Sequence, residues 1–364
     1  MLSRDLRKQL GELVIVGFKD LSMSRELRAL AEEFGLGGVI LFSRNVKEPK
    51  QLVELTEEVQ TLRRELPLWI SVDQEGGRVA RLRSPFTEWP PMKTLGRSGD
   101  ECLVERFARA LATELSAVRI SLDYTPVLDI QTNPNNSVIG DRALSSNAEQ
   151  VARFGSIIIR TLQEYGVAAC CKHFPGHGDT TGDSHIELPV IDHSADRLRA
   201  VELVPFVSAI ESGVALIMTA HILFQAFDSE QPGTLARSVI HDLLRNEMRY
   251  EGLVITDDLE MGAIRNLYSL EEAAVRAIRA GCDLVLLCGD DHDQHATVLE
   301  ALIHAIESDE LSIKNIEASL ARNQKAKRYF SEQVKRPDSV TDRLDVLIGQ
   351  DEHLEIANEM ARYL

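Results

Sequence analysis

The chain has 364 residues, with 40 basic against 57 acidic side chains, a formal net charge of −17 and 44% hydrophobic residues. The hydrophobic share suits a water-soluble globular protein with a full core and excludes a disordered chain. The acidic balance argues against a nucleic-acid binder, which needs a basic face. No run of about 18 uninterrupted apolar residues is present, so no membrane-spanning helix is expected. The opening Met1–Lys8 lacks the apolar run of a secretion signal. The five cysteines, Cys102, Cys170, Cys171, Cys282 and Cys288, form neither a disulfide framework nor a zinc spacing, and a reduced cytoplasmic setting is the simplest expectation.

In chain order, short apolar runs alternate with helical patterns. The expected strands are Leu13–Phe18, Gly38–Phe42, Leu68–Asp73, Ile120–Tyr124, Ala168–His173, Ala215–Thr219, Leu253–Asp257 and Leu284–Cys288. The first is the weakest, because Leu10–Gly17 fits a helix equally well. Most lack polar/apolar alternation, as parallel strands covered on both faces do. Helices are expected over Asp100–Ser116, Glu149–Glu164, Ala195–Ser212, Ala236–Tyr250 and Leu270–Ala280. The last has Ser269 as its cap and Gly281 just past its end. Eight strands with intervening helices favour an α/β fold of the closed (β/α)8 TIM type over an open doubly wound sheet. No Gly-x-Gly-x-x-Gly follows an early strand, which counts against dinucleotide binding. Later come a helical segment at Ile313–Tyr329, a loop at Lys335–Asp338 and an amphipathic segment at His353–Tyr363. One domain is expected, with the barrel over 1–333 and a helical tail over 334–364, and no second domain.

In a parallel barrel the active site forms at the carboxyl ends of the strands. Polar groups accumulate there: Asp73-Gln74-Glu75-Gly76-Gly77-Arg78-Val79-Ala80-Arg81, Gly140-Asp141-Arg142, Lys172-His173-Phe174-Pro175-Gly176-His177-Gly178-Asp179, Asp183-Ser184-His185, His221 and Asp257-Asp258. Asp73 and Glu75 could instead cap the next element, and Gly76-Gly77 could be only a turn. A lysine directly after an apolar strand, as at Lys172, needs a partner or a ligand. The glycine-rich stretch Phe174–His185 reads as a mobile loop carrying a functional histidine. Alternation puts Asp257 and Asp258 on opposite faces, so only one of them is expected to face the pocket. Asp290–His295 offers metal-ligand side chains but reads as a solvated loop, and no metal site is expected. Cys170-Cys171 reads as core filling. Aromatic residues make up only 5% of the chain, so a long groove paved with stacking rings is not expected.

Taken together these motifs resemble glycoside hydrolase family 3 β-N-acetylglucosaminidases. The resemblance rests on Lys172–Gly178 with Asp183-Ser184-His185, on Gly38–Asn45, Asp73–Arg81, Ile139–Arg142 and Met218–His221, and on Gly252–Met261, which is similar to that family's nucleophile strand. It covers roughly residues 10–330. It implies a (β/α)8 barrel that hydrolyses terminal, non-reducing β-linked N-acetylglucosamine, from muropeptides or chitooligosaccharides, through a covalent glycosyl-aspartate. Asp257 would be the nucleophile, and His185 the acid/base, coupled to Asp183. Asp73, Arg81, Arg142, Lys172 and His173 would hold the sugar hydroxyls and the N-acetyl group. The β-glucosidases of the family take a carboxylic acid/base from elsewhere, so the Asp-x-His element favours the N-acetylglucosaminidase branch.

The chemistry is consistent with that assignment. A retaining glycosidase needs an ionised carboxylate on one side of the anomeric carbon and a proton donor on the other. Histidine titrates near neutrality and can serve as acid and then as base. No metal or organic cofactor is expected. The partner is a small carbohydrate, with no nucleic acid and no membrane, and the chain is expected to be a monomer. A phosphorylase on the same scaffold and a non-catalytic sugar-binding protein are the alternatives.

Overall fold

The computed structural model describes residues 4–62, 65–333 and 343–364. Eight parallel strands close into a barrel: β1 (Val14–Val16), β2 (Gly38–Leu41), β3 (Trp69–Val72), β4 (Leu122–Asp123), β5 (Ala168–Phe174), β7 (Leu216–Thr219), β9 (Leu253–Asp258) and β10 (Leu284–Leu287). A separate two-stranded parallel sheet joins β6 (Val190–Ile191) and β8 (Leu223–Phe224). All eight apolar runs become barrel strands. β1, which follows helix α1 (Arg4–Leu10), is shorter than its run: a 3₁₀ turn (Gly11–Leu13) takes Leu13, and the strand ends at Val16, before Gly17 and Phe18. Strands such as Gly38-Val39-Ile40-Leu41 are buried along their whole length, which explains their unbroken hydrophobicity.

Outside the barrel run α2 (Arg25–Phe34), α3 (Pro49–Gln60), α4 (Lys93–Ser98), α5 (Glu101–Ala117), α6 (Ala148–Glu164), α7 (Ala195–Ala200), α8 (Val204–Glu211), α9 (Gly262–Arg265), α10 (Leu270–Ala280) and α11 (His292–Glu307). A π-helix spans Ser238–Glu247. The single helix expected over Ala195–Ser212 is broken in two. Pro205 lacks the N–H that would bond back to Val201, and it sits in the first turn of α8, where the missing donor costs nothing. Asp290–His295 is not a loop: Asp291 caps α11 by accepting from the backbone N–H groups of Asp293 and Gln294.

The last helices are α12 (Ile313–Gln333), α13 (Leu344–Leu347) and α14 (Asp351–Ala361). Asn323 in α12 accepts from Trp69 Nε1 at 2.9 Å and donates to the Glu12 carbonyl at 2.8 Å, so α12 covers the amino-terminal mouth of the barrel. The tail is tied down by buried Glu114. Its carboxylate takes the Gly349 N–H at 2.9 Å and lies 2.8 Å from His353 Nδ1. The loop expected at Lys335–Asp338 lies outside the described residues. Among the described residues, no helix is long and apolar enough to cross a membrane. With the amino-terminal end covered, the carboxyl ends of the strands form the open face.

Candidate active site

The polar clusters converge on that face. After β3 the chain turns back on itself through Gly76 (φ +113°) and Gly77 (φ +56°), which occupy backbone conformations that favour glycine. Gln74 pins the return by accepting from the N–H groups of Arg81 (2.8 Å) and Leu82 (3.0 Å). Asp73 and Glu75 therefore do not cap a helix. They point at Lys172 from the end of β5. Lys172 Nζ lies 2.6 Å from Asp73 Oδ1 and 2.7 Å from Glu75 Oε1. Arg142 grips Glu75 with two hydrogen bonds of 2.8 Å, and Arg81 reaches Asp73 at 3.5 Å.

This cluster is almost dry, so its protonation states follow from the pairing. Burial alone would protonate Glu75, but Arg142 and Lys172 hold it well below the usual carboxylate range. Burial would likewise discharge Lys172, but Asp73 and Glu75 keep its ammonium charged. Glu75 thus acts as a buried counterion that stiffens two cations. The sequence marked it only as a possible cap.

Next to Lys172, His173 Nδ1 lies 2.6 Å from Asp129 Oδ2, and Asp129 Oδ1 also accepts the His177 N–H at 2.7 Å. Burial works against its charge, but the His173 ring beside it and the backbone N–H of His177 lower the Asp129 pKa below the ordinary value. Asp129 escaped the sequence reading, although a lone carboxylate between Leu128 and Ile130 was a signal of a buried acid. His177 is driven to a pKa of about 4 by burial and by the neighbouring His173 imidazole, which leaves its ring neutral. Its Nε2 lies 3.0 Å from Ser184 Oγ and so anchors the loop that carries Asp183 and His185. At the loop tip, Asp183 Oδ1 accepts the His185 N–H at 2.9 Å and lies 2.7 Å from His185 Nδ1. Two contacts on one carboxylate fix the ring and leave Nε2 free of that pairing. The His185 side chain is 63% exposed.

The end of β9 carries Asp257 and Asp258. Both line the cavity, contrary to the strict alternation expected from sequence. The reason is a register shift: Ile255 pairs with Leu284, but Asp258 rather than Asp257 pairs with Leu286, so the strand bulges where it ends. Asp257 Oδ1 accepts the Asp258 N–H at 2.8 Å. Burial works against its charge, yet His173, His221, that N–H and Lys172 together lower its pKa below the ordinary value. Asp258 differs. Its Oδ1 accepts from Glu260 N and Cys288 N, both at 3.1 Å, but burial and the Glu260 and Asp257 charges push its pKa up to about 7. One aspartate is held ionised while its neighbour titrates near neutrality.

That difference has a measurable consequence. A carboxyl whose folded pKa is raised adds stability that is present below the unfolded value of 3.8 and is lost as pH rises through about 7. Asp258→Asn keeps an acceptor for both backbone N–H groups but cannot ionise. Between pH 4 and pH 8 the melting temperature of the variant is expected to move in its favour, relative to the parent, by roughly 5 °C. A difference that stays flat with pH would show that Asp258 titrates as an ordinary carboxylate.

The expected site residues Asp73, Arg81, Arg142, Lys172, His173, Asp183, His185 and Asp257 all line one cavity of about 470 Å³, within the roughly 300–1,000 Å³ of small-molecule clefts. Phe42 is the single aromatic ring besides imidazoles among its described lining residues. His221 stands behind the floor, with Nε2 2.9 Å from the Asp258 carbonyl and Nδ1 2.7 Å from Thr234 Oγ1. Among the described residues, no group of three or more His, Cys, Asp or Glu side chains is arranged to hold a metal ion.

A closed parallel barrel with carboxylates, cations and imidazoles gathered at its carboxyl face defines a barrel enzyme with a polar, sugar-sized pocket. The chain belongs to glycosyl hydrolase family 3: residues 5–326 match the N-terminal domain of that family. A β-hexosaminidase of Nitrosomonas eutropha is 41% identical over 261 residues, which is 70% of this chain and 74% of that one. The structure of a family 3 β-N-acetylglucosaminidase from Paenibacillus sp. FPU-7 superimposes with a TM-score of 0.94 at 40% identity, covering 100% of this chain and 69% of that one. The NagZ protein of Neisseria gonorrhoeae, in complex with N-trifluoroacetyl-D-glucosamine, gives a TM-score of 0.79 at 31% identity, covering 96% of this chain and 97% of that one.

Proposed function

We propose that this chain is a retaining exo-β-N-acetylglucosaminidase that releases terminal, non-reducing β-linked N-acetylglucosamine through a covalent glycosyl-aspartate. The observation that carries the reading is the sharing of one cavity by an ionised Asp257 and by the Asp183–His185 pair. An Asp257 oxygen attacks the anomeric carbon as the bond to the leaving oxygen breaks, and the His185 proton passes to that oxygen. Water then attacks the same carbon, gives its proton to His185 and frees the carboxylate. Two inversions give net retention. Asp183 orients the imidazole and stabilises its charged form, as an orienting carboxylate does in other acid/base pairs.

Asp73 accepts from sugar hydroxyls, while Lys172, Arg81, Arg142 and His173 donate to ring substituents and to the N-acetyl carbonyl. Their mutual pairing holds these donors in place before substrate arrives, and each charge-assisted hydrogen bond contributes roughly 1.5–3 kcal/mol when buried. Muropeptide fragments or chitooligosaccharides are the proposed substrates. A cytoplasmic role acting on the former, by a monomer without metal or cofactor, completes the reading.

The test is a panel of 4-nitrophenyl β-N-acetylglucosaminide, β-glucoside and β-xyloside, assayed with millimolar phosphate present. A preference of about 100-fold or more for the N-acetyl substrate is expected, with free N-acetylglucosamine as product. Comparable rates on all three would overturn the assignment. N-acetylglucosamine 1-phosphate as the main product would make the protein a phosphorylase.

A further inference from the structure

The loop that carries His185 is fastened at two points of unequal character. Its stem is built into the barrel: His177 binds Asp129, and Asp179 lies 2.6 Å from His193 Nε2 and accepts from Thr132 Oγ1 at 2.7 Å. Its tip rests on different ground. The backbone N–H of Gly262 donates to the His185 carbonyl at 3.0 Å, that of Ala263 donates to the Ser184 carbonyl at 3.1 Å, and Asn266 Nδ2 donates to the Ile186 carbonyl at 2.9 Å. Three successive loop carbonyls therefore land on one turn of α9.

That turn is continuous with the strand that carries Asp257. Gly262 follows Asp257 by five positions, and the Met261 N–H closes onto the Asp258 carbonyl at 3.2 Å. The approach is close enough to exclude a side chain at 262. A Cβ there would lie 2.6 Å from the His185 carbonyl oxygen and 2.7 Å from that of Ile186, both backbone atoms that cannot rotate away. Its backbone angles are ordinary, so an alanine is compatible with the fold when the loop is lifted. The three atoms nearest such a Cβ all belong to the His185 and Ile186 carbonyls of the loop.

We propose that α9 is the dock that sets the position of the acid/base loop, with Gly262 and Asn266 as positioning residues that fix His185 relative to Asp257. The inference rests on the reading of His185 as proton donor. On this account the separation of nucleophile and acid/base is determined by one rigid β9–α9 segment. The glycine-rich stem of the loop sets only how readily the tip leaves that segment.

The experiment compares Gly262→Ala, Asn266→Ala and His185→Ala on two substrates, 2,4-dinitrophenyl and methyl β-N-acetylglucosaminide. Amide hydrogen exchange is followed at 262 and 263, whose N–H groups bond to the loop. An activated aryl leaving group departs without a proton, whereas methanol does not. Gly262→Ala is expected to lose about 20-fold or more of kcat/KM on the methyl glycoside beyond any loss on the dinitrophenyl one, with faster exchange at both amides. Asn266→Ala, an exposed change that leaves the fold intact, is expected to shift both readouts in the same direction by about 3- to 5-fold. Equal losses on the two substrates, or unchanged exchange, in both variants would overturn the dock while His185→Ala still shows the split. If His185→Ala itself shows no split, the proton-donor reading fails instead, and the exchange rates alone then decide whether the tip docks on α9.

Discussion

Replacing Asp257 by alanine is expected to lower turnover of an aryl β-N-acetylglucosaminide about 10⁴-fold, corresponding to about 5–6 kcal/mol of transition-state stabilisation. The fold should survive. The side chain sits at the end of β9, where its described hydrogen bond is to the next residue's N–H, and it is not part of the Lys172–Glu75–Arg142 cluster. Its charge is maintained against burial by His173, His221 and Lys172, so the carboxylate is ready at and below neutral pH. Removing it leaves the Lys172 ammonium and the His173 and His221 rings facing the space its carboxylate filled. Azide should enter that space, attack the anomeric carbon from the side that Asp257 occupied, and yield the α-glycosyl azide while restoring part of the rate. An anomeric coupling constant read by NMR distinguishes that product from the β-azide. Retention of more than about a tenth of the parental rate by Asp257→Ala without azide would remove the carboxylate from the mechanism.

The second large effect is at His185. His185→Ala is expected to lower kcat/KM about 10²- to 10³-fold on methyl or disaccharide substrates, and less than about 5-fold on the dinitrophenyl glycoside. The loss tracks leaving-group basicity because a poor leaving oxygen must be protonated as its bond breaks. Asp183→Asn should fall between the two. The tie to His185 Nδ1 would weaken, and the variant could no longer stabilise the imidazolium with a full charge. A uniform loss across leaving groups in His185→Ala would assign the residue to binding rather than to proton transfer.

Much of this was legible in the sequence, and the reason is local. Barrel strands buried on both faces must be apolar throughout, so runs such as Leu284-Val285-Leu286-Leu287 announce themselves without any partner. Helix ends were equally readable: Ser269 does cap α10 by accepting from Glu272 N, and Gly281 closes it at φ +117°. The Asp291 and Gln294 pair carried the same kind of signal, but the density of acids and histidines around it read as a loop. The failures concern long-range geometry. Glu75 becomes a counterion only because Arg142, 67 positions away, and Lys172 fold onto it, and Asp129 meets His173 across 44 positions. Asp257 and Asp258 share the pocket through a bulge set by pairing with β10, which alternation within one strand cannot anticipate. Two of the three bonds that dock the loop tip on α9 are backbone to backbone, and such contacts leave little trace in side-chain identity beyond a glycine.

The most direct test of the central claim is covalent trapping. A 5-fluoro N-acetylglucosaminyl fluoride carries a leaving group good enough for glycosylation, and its ring fluorine slows hydrolysis of the intermediate. After incubation and proteolysis, mass spectrometry should find one sugar adduct on the peptide spanning Gly252–Met261, with fragmentation placing it on Asp257. An adduct on Asp258, or turnover of the reagent with no adduct on any carboxylate, would contradict the account. The second outcome is the one that attack by the substrate's own N-acetyl oxygen would give.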